Sequence, residues 1–465
     1  MTSAPQLAPA DSVSALARRF PTDFVWGAAT AAYQIEGAPH EHGRTPSIWD
    51  TFSATPGRVR NGDTGLVACD HVHRYREDVA LMRDLGLGAY RFSVSWPRIL
   101  PDGGGLPNRA GLDFYDRLVD ELLAAGITPW VTLYHWDLPQ SLEDAGGWPA
   151  RETADRFAEL AAATAFALGD RVEHWITLNE PWCSAFLGYG SGLHAPGRSE
   201  GDASVAAAHH LMLGHGLAVD AIRSVAPQAQ VGVTLNLYPV TAYDDRPSSL
   251  DAARRIDGLH NRWFLDPIFR GEYPADVVAD FGPLMADDLV RDGDLATIAT
   301  PLDFVGVNYY TRHNVRGSAY PGSNDAEFVG RGLARTASDW EVDPEGMTEV
   351  LTRVTRDYTP LPIYVTENGS AWPDQVGADG SVDDPERLAF LNDHLAASAR
   401  AIEDGANVAG YFAWSLLDNF EWAEGYAMRF GLVHVDFASQ RRTTKASGHW
   451  YSGLMRAHRD GILSP

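Results

Sequence analysis

The chain has 465 residues, 45% hydrophobic and 11% aromatic, enough to bury a large core. Its 37 basic and 62 acidic side chains give a formal charge of −25, which opposes nucleic acid and anionic membranes as partners and suits a solvated acidic surface. One lysine (Lys445, in a polar C-terminal stretch) and two cysteines (Cys69 and Cys183, expected to be reduced core thiols) leave Schiff-base chemistry, a lysine phosphate loop and a disulfide framework almost without candidates.

Residues 1–18 are rich in Ala, Ser and Pro and read as a disordered tail. One domain is expected over 19–458, followed by a short C-terminal tail at 459–465. No basic start followed by an apolar stretch directs export, and no apolar run approaches the ~20 residues that span a bilayer. A cytoplasmic protein is expected.

The first strand falls at 24–30, in Phe24-Val25-Trp26-Gly27-Ala28-Ala29-Thr30, and a Gly-, Pro- and His-rich loop continues to about 70. Val79, Leu81, Met82 and Leu85 share one face of a helix over 75–85, which Gly86 and Gly88 end. A strand at 89–96, a helix at 112–125 stopped by Gly126, a strand at 128–136 and a helix at 153–168 follow. Further strands read at 174–180, 231–237, 303–310, 363–368 and 408–417, with a helix at 204–224 and others between. Alternating strands and helices imply parallel pairing, and eight such units predict an α/β fold of the single-domain (β/α)8 TIM-barrel type, with an open doubly wound sheet as the alternative. The polar stretch 311–337 reads as one long insertion among the βα loops.

Conspicuous side chains recur where these strands end: Gln34, Arg91, His135, Asn179 with Glu180, Asn308 with Tyr310, Glu367 and Trp414. In a barrel those ends form the active face. Two runs share one grammar. His174-Trp175-Ile176-Thr177-Leu178-Asn179-Glu180-Pro181 and Pro362-Ile363-Tyr364-Val365-Thr366-Glu367-Asn368-Gly369 are apolar strands that each end in a glutamate beside an asparagine. A carboxylate pair in one sugar pocket divides the work: one, kept protonated, assists the leaving group while the other attacks or activates water.

Thr177-Leu178-Asn179-Glu180-Pro181 and Val365-Thr366-Glu367-Asn368-Gly369 resemble the acid/base and nucleophile signatures of glycoside hydrolase family 1, the β-glucosidase family. The stretch from Phe24 through Gly37 resembles its N-terminal signature and 414–436 its C-terminal one, so the resemblance covers roughly 20–455. It implies a retaining β-glucosidase that cleaves terminal β-D-glucosyl residues from β-glucosides and short oligosaccharides such as cellobiose. Glu180 would be the general acid/base and Glu367 the nucleophile, their carboxyls about 5 Å apart. The resemblance also admits side activity on β-galactosides and β-fucosides, and transglycosylation. A raised Glu180 pKa is expected from the neighbouring charge of Glu367.

By the same resemblance Arg91, Tyr310 and Asn308 support the nucleophile. Gln34, His135, Trp136, Asn179, Tyr310, Trp414, Glu421, Trp422 and Phe430 bind the sugar, and Trp182 and Trp340 face the leaving group. The implied partner is a small sugar substrate, with no cofactor or metal; His71 and His73 resemble structural histidines of the family. A 6-phosphoglycosidase would need a Ser, Lys and Tyr clamp where this chain has Glu421, Met428 and Phe430. A barrel that binds sugar without catalysis is the rival from another class, opposed by the intact pair Glu180 and Glu367.

Overall fold

The apolar strands predicted from sequence close into one barrel in the computed structural model, which describes residues 10–318 and 325–463. In chain order they are Val25–Ala29 (β1), Ala89–Ser93 (β2), Thr128–Tyr134 (β3), His174–Asn179 (β4), Gln230–Asn236 (β5), Phe304–Asn308 (β6), Ile363–Asn368 (β7) and Val408–Trp414 (β8). Each pairs in parallel with its sequence neighbours, and β1 returns to β8 with Val25 opposite Gly410 and Ala29 opposite Trp414. The closed order excludes the open sheet. Helices on the outside cover these strands, which is why the strands read as continuous apolar runs rather than alternating ones.

Several strands stop earlier than their apolar runs suggest. β3 ends at Tyr134, β6 at Asn308 and β8 at Trp414, and the chain then peels into loops that carry Trp136 and Tyr310 over the barrel mouth. At the opposite end Trp130 packs against His174, Phe304, Tyr364 and Phe412, with ring centroids 4.0 to 5.2 Å apart. This aromatic plug requires a small neighbour: a Cβ on Gly27 would lie 2.4 Å from the Phe412 ring.

The structure corrects three expectations. Ala10–Ala17 is helical where a disordered tail is expected over 1–18, and Leu16 and Ala17 are buried; residues 1–9 lie outside the described residues. The final helix, Ala446–Leu463, runs through most of the predicted C-terminal tail and packs against that first helix. Within 311–337, His313–Gly317 pairs with both Val240–Ala242 and Ala326–Phe328, so the insertion is partly a small sheet beside the barrel mouth. Among the described residues no helix is long and apolar enough to cross a membrane.

Lys445, set aside on sequence, is fully buried and ion-paired to Asp374 and, at 2.6 Å, to Asp418. Asp418 also accepts from Arg429 at 2.7 Å and from the Gly431 amide at 3.0 Å, which pins the loop after β8. Removing one partner of a buried ion pair strands the other charge and costs about 3–5 kcal/mol. Lys445→Ala is therefore expected to lower the melting temperature sharply, as thermal unfolding would show.

Candidate active site

Four strands deliver the charged centre. Arg91, buried on β2, donates from Nη1 to Glu367 Oε1 at 2.6 Å and from Nη2 to Asn179 Oδ1 at 2.7 Å. Tyr310, just past β6, donates its hydroxyl to the other Glu367 oxygen at 2.7 Å. Glu367 is thus held through both oxygens, by a guanidinium and a phenol. Burial pushes its pKa up, and Arg91 first, then the Tyr310 and Asn308 amide interactions, pull against that rise.

Glu180 follows β4 and is also buried. Asn308 donates to its Oε1 at 2.6 Å and Cys183 to its Oε2 at 3.2 Å. Burial raises the Glu180 pKa to about 8, and the Glu367 charge is the second cause. Sequence reasoning expects the neighbouring charge alone to do this. Desolvation leads because loops close over the strand end, which no local pattern encodes. Asn308, expected to support the nucleophile, acts on Glu367 but has its shortest hydrogen bond to Glu180, and reaches Asn179 at 3.1 Å as well.

Strain accompanies this arrangement. Trp136, Glu180 and Trp422 have φ of 79°, 48° and 48°, left-handed backbone that costs a non-glycine residue of order 1–3 kcal/mol. The Trp136 indole N–H repays part of this by donating to the Asn179 carbonyl at 2.9 Å. β7 is held close as well: a Cβ on Gly369 would lie 1.7 Å from the Trp414 carbonyl oxygen, so the glycine after Glu367-Asn368 is a steric necessity.

Around the carboxylates lies a set of polar and aromatic groups. Gln34 donates to Asn419 Oδ1 at 3.0 Å, the Phe420 carbonyl at 2.9 Å and Glu421 Oε2 at 3.3 Å. His135 receives the Asn179 amide on Nε2 at 3.1 Å, and burial with the nearby Arg91 charge keeps its ring neutral. Rings of His135 and Trp414 stack with centroids 5.8 Å apart, and Trp422 stacks on His135 at 5.8 Å and lies 4.5 Å from Trp136. Phe430 is buried edge-on to Tyr310. Burial lifts Glu421 to about 8, with the Glu367 charge as second cause.

Trp340 lies over Tyr310 at 5.2 Å, at the edge of this set. Trp182 stacks on His260 at 4.1 Å, and His260 and Tyr238 both contact His313. His260, Tyr238, His313 and Asn236 escaped the sequence reading, and Cys183, read there as a core thiol, was not placed beside Glu180. Asn236 ends β5 as Asn179 and Asn308 end theirs, so its strand-end amide was a usable signal. His260 sits in a turn of helix between strands and carried none. His71 and His73 lie elsewhere: His71 is buried against Asp78 at 2.7 Å, and His73 pairs with Asp70 and Glu41 on the surface.

A closed barrel whose fourth and seventh strands bring two buried carboxyls to one mouth, ringed by amides and indoles, has the architecture of a barrel glycosidase. A family model described as glycosyl hydrolase family 1 matches residues 16–460, and the chain belongs to that family; it is a glycoside hydrolase. β-Glucosidase A of Thermotoga maritima is 46% identical over 440 residues, covering 94% of this chain and 98% of that protein. A bifunctional β-D-glucosidase/β-D-fucosidase of Bifidobacterium breve is 48% identical over 460 residues, at 94% and 98% coverage. Among solved structures, the psychrophilic β-glucosidase of Micrococcus antarcticus superposes with a TM-score of 0.93 at 50% identity, covering 96% of this chain and 99% of that one. The T. maritima β-glucosidase in complex with glucoimidazole gives 0.92 at 46% identity, covering 94% and 99%.

Proposed function

We propose that this glycoside hydrolase is a retaining β-glucosidase, releasing terminal glucose from β-glucosides and short oligosaccharides such as cellobiose through a covalent glycosyl-enzyme. The observation that carries the reading is the different treatment of two buried carboxyls. Glu367 has Arg91 and Tyr310 on its oxygens, donors that favour an ionised nucleophile, whereas Glu180 has no cation bonded to it among the described residues and its pKa is lifted into the range of a neutral acid.

In the first step Glu367 attacks the anomeric carbon while Glu180 protonates the departing oxygen. Loss of the Glu367 charge into the ester then removes one of the two causes of the raised Glu180 pKa, so Glu180 can take a proton from water in the second step. Asn179, held by Arg91, faces the sugar 2-hydroxyl. Gln34, His135, Glu421 and Trp422 read the remaining hydroxyls, and Trp414, Trp136 and Phe430 cover apolar faces of the ring. Trp182 and Trp340 border the leaving group. The relatives named for β-glucosidase and for combined β-glucosidase and β-fucosidase action support glucose as the main sugar, with fucosides as secondary substrates.

A 6-phosphorylated sugar finds no clamp: Glu421 is acidic, Phe430 apolar, and the neighbouring Arg429 is paired with Asp418. Kinetics on a panel of aryl glycosides and cellobiose tests the reading. The β-glucoside should turn over with a bell-shaped pH dependence of kcat/KM, falling on the alkaline side as Glu180 loses its proton, near pH 8, and on the acid side as Glu367 gains one. Binding of glucosides without turnover at any pH would favour the non-catalytic alternative.

A further inference from the structure

The hydrogen bonds around Glu180 distinguish its two oxygens. Thr234 donates to the Thr366 hydroxyl at 3.2 Å, and Thr366 donates to Asn308 Oδ1 at 2.8 Å. This orients the Asn308 amide so that its NH2 faces Glu180 Oε1 at 2.6 Å. An amide NH2 only donates, so Oε1 remains an acceptor whether or not the carboxyl is protonated. The acid proton is therefore confined to Oε2.

Oε2 has its own neighbour. The Cys183 sulfur lies 3.2 Å from it and receives the Asn236 amide at 3.7 Å, which directs the S–H toward the carboxyl. Asn236 is itself fixed by its bond to the Tyr238 hydroxyl at 3.1 Å. Burial and the adjacent Glu180 charge push the thiol well above its ordinary value, so the sulfur keeps its proton and acts as a donor.

We propose that Glu180 delivers its proton from Oε2 and that Cys183, hydrogen-bonded to that oxygen, is a positioning residue that sets how readily the proton leaves. This rests on the reading of Glu180 as the general acid/base. In the first step the Oε2–H bond breaks and the proton passes to the glycosidic oxygen, which keeps the electron pair of the C1–O bond as that bond breaks. Glu367 forms the new bond to C1. The electron pair left on Oε2 receives the thiol hydrogen bond, which is stronger to a carboxylate than to a neutral acid. Water returns a proton to Oε2 in the second step as its oxygen bonds C1 and Glu367 departs. Other titratable groups facing Glu180 are Glu367 from β7, Arg91 from β2, Tyr310 after β6, Tyr238 after β5 and Glu421 after β8; all of these side chains are retained when the thiol is replaced, and of them Tyr238 also feels Cys183.

The test is the pH dependence of kcat/KM on phenyl β-D-glucoside. Cys183→Ala removes a donor to the anion, so the alkaline limb should move up by about half a pH unit. Cys183→Ser keeps a donor and should hold the limb at or below its wild-type position; Cys183→Val, which fills the space without donating, should match Ala and serves if Ala does not fold. A limb unmoved in Ala and Val, or raised equally in Ser, overturns the proposal. Glu180→Gln, followed on the same phenyl glucoside at raised enzyme concentration, separates the two levels. Loss of the alkaline limb there upholds Glu180 as the acid and lets the Cys183 series decide, whereas its persistence overturns the acid/base reading and this inference with it.

Discussion

Glu367→Ala is expected to lower hydrolysis of aryl β-glucosides by about 10⁴-fold or more, the scale on which removing a catalytic nucleophile acts. Azide should restore turnover. The missing carboxylate leaves room beside Arg91 and Tyr310, whose donors normally hold it at 2.6 and 2.7 Å, and a small anion can attack from the same face. Only one inversion then occurs, so the product should be the α-glucosyl azide, identified by NMR of the isolated glycoside. A β-glucosyl azide, or hydrolysis near the wild-type rate, would contradict Glu367 as nucleophile.

Glu180→Ala has a different signature because an acid matters in proportion to how poor the leaving group is. With cellobiose or phenyl glucoside the loss in kcat/KM should reach about 10²–10⁴-fold, while a dinitrophenyl glucoside, whose leaving group needs no proton, should lose far less in that step. The second step then limits turnover, since no base activates water. Azide should relieve it and give the β-glucosyl azide after two inversions. Equal losses across leaving groups, measured as a Brønsted series, would argue against acid assistance by Glu180.

The barrel was legible because each strand is buried on both faces, so its apolar run survives in the sequence without the interruption of a solvent side. The site was legible where a polar residue stands at or beside a strand end, as with Asn179, Asn308 and Glu367, whereas Arg91 lies in the middle of β2. Contacts between distant segments were not legible. Ala10–Ala17 is short and gains its buried face chiefly from Ala446–Leu463 at the other end of the chain. Val240–Ala242 has three residues and pairs with a strand about 70 positions later, too short for a period and too far for a turn signal. Lys445 looks like one polar residue among others in Arg-Arg-Thr-Thr-Lys, and only folding surrounds it with Asp374 and Asp418.

Protonation belonged to the same class. A glutamate beside an asparagine announces a site, but the leading cause of the raised Glu180 pKa is burial, which depends on loops from several strands. Likewise Asn308 is visible as a strand-end amide, while its preference for Glu180 over Glu367 is set by the Thr366 hydroxyl on the neighbouring strand.

The account centres on two displacements at one anomeric carbon, so the stereochemistry of the first product tests it most directly. Proton NMR recorded during rapid hydrolysis of an aryl β-glucoside, before mutarotation equilibrates the sugar, should show β-glucose appearing first and α-glucose growing in later. α-Glucose as the first product would mean a single inversion by water and would contradict the assignment of Glu367 as a nucleophile.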